Sequence, residues 1–280
     1  MDNASEPLIR RFDVKRISQD QSERIVDSVA AEEPLGIRIT YWVKESQRTE
    51  SLAVTMRTPG HDQELAAGFL LSEGIVVKCD DILAIRSLGV KPSNEIAVEL
   101  ASSVDVDTWR MRRNNFVGAS CGICGKRSRE ALTRELPEYS IDELRITPEV
   151  VERLPAALIA SQSGFAQTGG LHAAALANES GEIEQMFEDI GRHNALDKLL
   201  GWCLLQGRIP LSRNILFLSS RSSFELVQKA LMAGAPVLAA IGGTSSLAIE
   251  TAREHGITLL GFVRSGRMNV YSGDWRLHSN

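Results

Sequence analysis

The last third of the chain alternates short apolar segments with amphipathic ones, and this alternation limits the possible folds more than any other feature. Apolar runs at 215–218, 237–241 and 258–263 have the length of buried strands. The segments between them, 222–233 and 244–255, show the apolar spacing of helices. Strands that alternate with helices at this spacing form βαβ units, so we predict a parallel sheet with helices packed on it.

The first hundred residues follow a different pattern, that of an antiparallel sheet with one buried face. Apolar and polar residues alternate at Ile37–Val43, and Leu52, Val54 and Met56 repeat the pattern on a second strand. A helix is predicted at 62–72, followed by a strand pair at 84–88 and 95–100. These elements predict a small α+β domain.

The predicted domain boundaries follow from where this periodicity begins, fades and returns. It fades after Trp109 and returns at Thr147-Pro148, which is a typical helix start. A hairpin around Ser180-Gly181 and a helix at 193–206 come next. The predicted organisation is an extended, polar lead-in at 1–25, a small α+β domain at 26–117, a loop or linker at 118–146 and an α/β domain at 147–280.

Charge and hydropathy exclude several classes of function. The chain has 280 residues and a formal net charge of -5, which indicates no general attraction to nucleic acid or to anionic membranes. Met1 to Arg10 lack a signal core, and the longest apolar run, Ala235 to Ile241, is too short to span a bilayer. We therefore expect a cytoplasmic protein, where a cysteine pair serves catalysis or metal binding rather than a structural disulfide.

One such pair is present, Cys121 and Cys124, in a glycine-flanked stretch. Glycines leave both sulfurs unshielded, and nearby cations favour the nucleophilic thiolate over the thiol. The flanking basic residues are Arg110, Arg112, Arg113, Lys126, Arg127 and Arg129. The residues alone leave three hypotheses open: a pair of zinc ligands, a redox pair, or carriage of a persulfide sulfur. A phosphate-binding P-loop is excluded, because Arg127 stands where that motif requires Ser or Thr.

Polar loops follow each of the three predicted parallel strands. They are Ser219–Ser223, Gly242–Ser246 and Val263–Arg267. Ligands of open α/β sheets bind outside the carboxyl ends of the strands, where helix N-termini and arginines suit phosphate groups. Each loop alone is more simply a set of caps and turns, but three at one edge favour a phosphate-bearing ligand.

Two histidines and one helix face complete the polar features. His172 and His193 are candidates for ligand contact, although a lone histidine is more often structural. They could complete a zinc site with the cysteine pair only if the fold brings all four side chains together. Asp197 and Lys198 are interpreted as a solvated helix face, whereas Cys203 lies on an apolar stripe and is assigned to the core.

Six stretches, spread over most of the chain after about residue 30, carry a more specific signal. They are Gly68–Gly74, Cys121–Gly125, Thr168–Ala175, Glu188–Gly201, Ser219–Glu225 and Gly261–Arg267. In this order they resemble the formate dehydrogenase accessory sulfurtransferase family, the FdhD type. The resemblance implies a homodimer that receives sulfur from a cysteine desulfurase. It further implies that this sulfur passes to the molybdenum bis(molybdopterin guanine dinucleotide) cofactor, which then becomes competent for formate dehydrogenase.

The resemblance also implies roles for particular residues. The persulfide is expected on Cys121, with Cys124 assisting the transfer. The cofactor-binding segment maps onto Phe262, Val263, Arg264, Ser265, Gly266 and Arg267, which agrees with the strand-end argument. Further contacts to the molybdenum cofactor, bound as a substrate, are predicted for Ser220, Arg221, Ser222, His172 and His193. GDP or a similar guanine nucleotide is expected to fit the same site.

The fold implied by the resemblance is similar to cytidine deaminase, a three-layer α/β/α C-terminal domain, with a smaller α+β N-terminal domain attached. A zinc deaminase needs H-x-E followed by P-C-x-x-C. Here no Glu lies two residues after His172, and 220–225 contain no cysteine, so we expect neither catalytic zinc nor deaminase activity. The alternative function is a non-catalytic chaperone that binds the molybdenum cofactor and whose CxxC is a redox or zinc-binding pair.

Overall fold

The computed structural model describes residues 8–19, 21–89, 93–106 and 144–278. The N-terminal unit is built mainly from strands, with one helix packed on its larger sheet. Its elements are β1 (Ile9–Ile17), β2 (Ser22–Ala30), β3 (Glu33–Val43), β4 (Ser46–Arg57), α1 (Asp62–Ser72), a 3-10 turn (Cys79–Asp81), β5 (Ile82–Ser87) and β6 (Glu95–Leu100).

The larger sheet of this unit has four strands in the order β4-β3-β6-β5. β3 pairs with β6 in parallel and with β4 antiparallel. Alternate residues of β3 from Leu35 to Tyr41 are buried, as the sequence predicts, and they contribute to the same core cluster as α1. On β4, Leu52 is buried as predicted, but the prediction that Val54 and Met56 share its buried face is wrong, because both are exposed. Leu52 is the extra residue of a β-bulge, which reverses the side-chain phase so that Ala53 and Thr55 point inward instead.

The described part of the polar N-terminal segment forms regular strands, which the sequence does not predict. β1 and β2 pair over nine residues each into an antiparallel hairpin. Most of its side chains are exposed, including Phe12 at 51%. Sequence patterning misses such a ribbon, because a hairpin with little burial lacks the alternation that marks a strand.

The C-terminal unit alternates strands and helices. Its elements are α2 (Pro148–Ser161), α3 (Ser163–Thr168), β7 (His172–Ala177), β8 (Ile183–Asp189), α4 (Arg192–Leu205), β9 (Ile215–Leu218), α5 (Phe224–Met232), β10 (Val237–Ala240), α6 (Ser246–Glu254), β11 (Thr258–Arg264), β12 (Arg267–Ser272) and a 3-10 turn (Asp274–Arg276). None of the helices within the described ranges is long and apolar enough to cross a membrane.

The six strands of this unit form one sheet in the order β12-β11-β10-β9-β7-β8. β9, β10 and β11 are parallel, which confirms the prediction for the last third of the chain. β12 adds an antiparallel edge strand that the sequence does not predict, and half of its residues are exposed. Alternate strand residues face two separate core clusters, one containing α4, α5 and α6 and the other containing α2. The predicted three-layer α/β/α arrangement with a smaller α+β unit is confirmed.

The two units meet through direct contact of the backbones of α1 and α4. A Cβ atom on Gly68 would lie 1.8 Å from the carbonyl oxygen of Asp197, and one on Gly201 would lie 1.8 Å from that of Glu64. Only glycine permits this approach at both positions. The four-stranded sheet, α1 and α4 consequently share a single hydrophobic cluster with one face of the six-stranded sheet.

Buried charges reinforce the same junction. Lys198 has no exposed surface, and its Nζ lies 2.7 Å from Asp189 Oδ2 and donates to the carbonyl oxygen of Thr58 at 2.9 Å. Asp197 accepts hydrogen bonds from Ser72 Oγ at 2.6 Å and from Lys229 Nζ at 2.8 Å. The interpretation of Asp197 and Lys198 as a solvated helix face is therefore wrong. Their partners lie nine or more positions away in sequence, so the three- and four-residue spacing of a helix face gives no sign of them.

Removal of the buried ammonium should destabilise the fold strongly. We expect Lys198→Ala to lower the free energy of unfolding by about 3–5 kcal/mol, because Asp189 would be left as an unpaired buried carboxylate. Urea denaturation measures this change. The matched control is Arg86→Ala, which removes an exposed ion pair of 3.7 Å with Glu99 and should cost only about 0–1 kcal/mol. Equal losses for the two variants would contradict this account of the junction.

Candidate functional site

The loops that follow β9 and β10 lie side by side with the C-terminal part of β11 at one edge of the sheet. Gly242 N donates to Ser220 O at 3.0 Å, and Phe262 N donates to Gly242 O at 2.9 Å. A third bond, of 2.9 Å, runs from Ser222 N to Gly243 O. Because these strands are parallel, this is the carboxyl edge at which open α/β sheets bind ligands.

Phe262 is held in an unusual conformation at this edge. Its φ of 52° lies in the left-handed region, which is uncommon for a bulky residue, and the side chain is 48% exposed. A Cβ on Gly243 would lie 2.7 Å from Phe262 Cζ, so the ring covers this glycine and a larger residue there would displace the ring. An exposed aromatic ring on a strained backbone is typical of a ligand contact.

The rest of the predicted segment 262–267 divides into buried and exposed parts. Val263 is fully buried in the core, so its side chain cannot reach a ligand. Arg264 Nη1 donates to the carbonyl oxygens of Ile241 at 2.7 Å and Val263 at 2.8 Å. Ser265, Gly266 and Arg267 form the exposed turn into β12, where Gly266 has a φ of 77°.

The loop between β9 and α5 contains four serines and an arginine and lies next to these residues. Arg221 is exposed, and a Cβ on Gly242 would lie 2.9 Å from its Cα. Ser220 is buried, and its Oγ donates to the carbonyl oxygen of Arg221 at 3.1 Å. The hydroxyls of Ser222 and Ser223 are buried and have no hydrogen-bond partner among the described residues.

The N-terminus of α4 meets that of α5 beside this loop. His193 Nε2 and Glu225 Oε2 are 2.8 Å apart, the distance of an ion pair, although the ring N–H is not aligned for a hydrogen bond. Arg192, directly before His193, has a buried Nε without a partner in the described part of the chain. Arg192 and Glu225 are not among the site residues predicted from the sequence, and Ser223 is predicted only as part of the polar loop Ser219–Ser223. The feature that could have identified them in the sequence is a charged or hydroxyl residue at the start of a helix.

His172 lies at the same edge, since β7 runs antiparallel to β9 and His172 is its first residue. It pairs in register with Asp189. Partial burial lowers the pKa of His172, and the positive charge of Arg192 lowers it further, while Asp189 opposes the shift. His172 is thus neutral near pH 7 and can accept a hydrogen bond there.

Of the cysteines, the predicted catalytic pair Cys121 and Cys124 lies outside the described residues, so its role stays a prediction. Cys203 is fully buried, as assigned, and burial raises the pKa of its thiol to about 12. Cys79 is partly buried, with Sγ 3.6 Å from the carbonyl oxygen of Leu205. Because its pKa is raised, Cys203 cannot supply a thiolate near neutral pH.

These features define an open-sheet α/β protein whose polar side chains gather at the carboxyl ends of its parallel strands. The chain belongs to the FdhD/NarQ family, whose model matches residues 30–278. It is 46% identical over 279 residues to a protein of Streptomyces avermitilis named "Sulfur carrier protein FdhD", covering 96% of both chains. A Mycobacterium tuberculosis protein of the same name is 41% identical, covering 92% of this chain and 95% of that one.

A solved structure supports the fold independently. A crystal structure of a protein from Desulfotalea psychrophila matches with a TM-score of 0.76, covering 97% of this chain and 100% of that one. The two sequences are only 23% identical, so this likeness concerns the fold.

The depressed pKa of His172 predicts a pH dependence of stability. Because the folded state disfavours protonation, stability is fully present above the ordinary pKa of 6.5 and is lost as pH falls below it. Denaturant titrations at a series of pH values should show a steeper acid decline for the wild type than for His172→Gln. Parallel declines for the two proteins would contradict the desolvation of His172.

Proposed function

We propose that the chain is a sulfur carrier required for formate dehydrogenase activity. The observation that carries this proposal is the likeness, along nearly the whole chain, to relatives named as sulfur carriers. The pair Cys121 and Cys124 within a basic stretch supports it, since the chemistry needs an accessible thiolate. The donors at the carboxyl edge of the sheet support a nucleotide-bearing acceptor of the sulfur.

The first half of the reaction is a thiol exchange. The thiolate of Cys121 attacks the terminal sulfur of a persulfide on a cysteine desulfurase. The sulfur–sulfur bond of the donor breaks, the desulfurase cysteine leaves as a thiolate, and Cys121 becomes the persulfide. The step needs no external oxidant or reductant, because one thiolate replaces another. The basic residues around the pair stabilise the attacking thiolate.

The second half delivers the sulfur to the molybdenum bis(molybdopterin guanine dinucleotide) cofactor as bound substrate. Delivery as hydrosulfide consumes two electrons, which the thiolate of Cys124 supplies by attacking the inner sulfur of the persulfide. Hydrosulfide leaves for the cofactor, a disulfide joins Cys121 to Cys124, and a dithiol reductant then restores both thiols. Formate dehydrogenase is the recipient of the sulfurated cofactor, and the carrier acts as a homodimer.

The carboxyl edge suits the guanine-nucleotide part of this substrate. The exposed ring of Phe262 offers a stacking surface for a base. The serine hydroxyls and the arginines at the edge are donors for phosphate oxygens. GDP is thus the natural small probe of the site.

Sulfur loading tests the carrier chemistry directly. After incubation with an active cysteine desulfurase and cysteine, the wild type should gain the mass of one or more sulfur atoms in intact-protein mass spectrometry. Cys121→Ala should gain none, because it lacks the acceptor thiolate. Cys124→Ala should load but not release sulfur, and Cys79→Ser is the matched control that should behave as wild type. A wild type that stays unloaded would instead favour the cofactor-binding chaperone, which needs the edge but not the thiols.

A second prediction concerns Phe262. We expect Phe262→Gly to weaken GDP binding by about 1–3 kcal/mol, the contribution of stacking on one base. The same change should leave the fold as stable or up to about 1–2 kcal/mol more stable, because glycine relieves the left-handed backbone. Calorimetric titration and thermal unfolding measure the two effects, with Phe12→Ala on the N-terminal hairpin as control. A parallel loss of binding and stability would mean that the ring serves only packing.

A further inference from the structure

The hairpin of β1 and β2 has little support from the rest of the chain. Of the other helices and strands in the described ranges, only α3 has more than marginal contact with it, through β2. The hairpin is fixed at its base, where Ala31 N donates to Leu8 O at 2.9 Å and Arg10 pairs with Glu33. A two-stranded hairpin is at best marginally stable in water on its own. A regular ribbon of this length therefore needs another surface packed against it.

One face of the hairpin carries a row of apolar side chains. Residues that lie directly opposite each other in an antiparallel pair point to the same side of the ribbon. The register assigns to this side, called the Phe12 face, the pairs Arg10 with Val29, Phe12 with Asp27, Val14 with Ile25, and Arg16 with Glu23. Phe12 is 51% exposed, and Val14, Ile25 and Val29 are only partly buried. Since these four side chains are direct or diagonal neighbours, they form one continuous apolar surface.

The rest of the protein packs against the opposite face of the hairpin. Ala30 belongs to that opposite face because it pairs with Ile9, and a Cβ atom on Gly170 would lie 3.5 Å from the Cβ atom of Ala30. Gly170 lies just after α3, the helix that contacts β2. This helix and the residues that follow it consequently leave the Phe12 face uncovered.

The charges of the Phe12 face are separated by strand. β1 contributes the cations Arg10 and Arg16, whereas β2 contributes the carboxylates Asp27 and Glu23. If a two-fold axis runs along the hairpin, two copies of this face stack with β1 of each copy over β2 of the other. The strand with the arginines then meets the strand with the carboxylates twice, so the face is complementary to itself.

The opposite face of the hairpin has no such complementarity. Its two exposed apolar residues, Ile17 and Val26, are separated by the cross-strand pair of Lys15 and Arg24. Both members of that pair are cations, so the same stacking would bring like charges together. Charge therefore selects the Phe12 face as the one that fits a second copy of the chain.

We propose that the Phe12 face is the surface through which two copies of this chain associate. Val14 of each copy packs over Ile25 of the other, and Arg16 of each copy pairs with Glu23 of the other. Burial of the apolar row supplies the packing that each hairpin lacks in the single chain. The inference rests on the homodimer of the proposed function and assigns it an interface.

Charge reversal at the contact between Arg16 and Glu23 tests this interface. Sedimentation of the full chain over a range of concentrations measures self-association. We expect Arg16→Glu and Glu23→Arg each to weaken it about 10- to 100-fold, because each change opposes like charges twice across the two-fold axis. An equimolar mixture of the two variants should associate as tightly as the wild type, since each copy then complements the other. Arg24→Glu, the same charge change on the opposite face, is the matched control and should associate as the wild type does.

The mixture distinguishes an interface from an effect within one chain. Arg16 and Glu23 also lie opposite each other in their own hairpin, so either reversal places like charges there. That intrachain defect would persist on mixing, and a mixture that does not recover association would overturn the proposal.

Two further outcomes would also overturn the proposed interface. Unchanged association of both variants would leave the homodimer and place its interface elsewhere. A wild type that is monomeric at every concentration would contradict the homodimer as well, and would leave the Phe12 face to a different protein. Sulfur loading of Cys121 is measured separately on the same variants, so none of these results decides the carrier chemistry.

Discussion

The buried pair of Lys198 and Asp189 fixes the relation between the two units of the chain. A lysine ammonium group that is shielded from water is stable only when charged or polar groups lie close to it. For Lys198 these groups are the carboxylate of Asp189 and the carbonyl oxygen of Thr58. Asp189 also accepts from Thr58 N at 3.1 Å and from Gly191 N at 2.8 Å. One carboxylate therefore joins the end of β4, the end of β8 and the start of α4.

The geometry of the sheet edge depends on this junction. Since Asp189 fixes the turn into α4, it sets where Arg192 and His193 lie relative to the loop before α5. Asp197, one turn further along α4, binds Lys229 of α5 and so fixes the second helix as well. The N-terminal unit is thereby a structural support of the site, although the predicted ligand contacts lie in the C-terminal unit. Mutations near Thr58 or Ser72 should therefore change the geometry of the sheet edge, because these bonds connect the two regions.

The sequence predicts an element correctly where the element's own residue pattern shows which side chains are buried. The prediction fails where burial depends on residues that are distant in sequence. The strands β9, β10 and β11 are predicted correctly, because each is a run of apolar residues between polar loops. The bounds of α1 are also predicted, from a helical stripe between clear breakers. The hairpin of β1 and β2 escapes detection because few of its residues are buried. The prediction for Lys198 is wrong because a buried lysine and an exposed one look the same in the sequence. Its partners Asp189 and Thr58 lie 9 and 140 positions away.

The candidate site shows the same division. The loops at the strand ends could be identified in advance, because parallel strands bring their carboxyl ends to one edge. The burial of Val263 and the exposure of Phe262 could not, since they depend on the left-handed backbone of Phe262. Phe262 keeps a strained backbone at this edge, and Arg192 Nε and the hydroxyls of Ser222 and Ser223 are buried with no hydrogen-bond partner among the described residues. Both features lower the stability of the free protein there. Binding of a ligand with a flat base and a phosphate would recover that loss, so the same features that weaken the free protein would strengthen its complex.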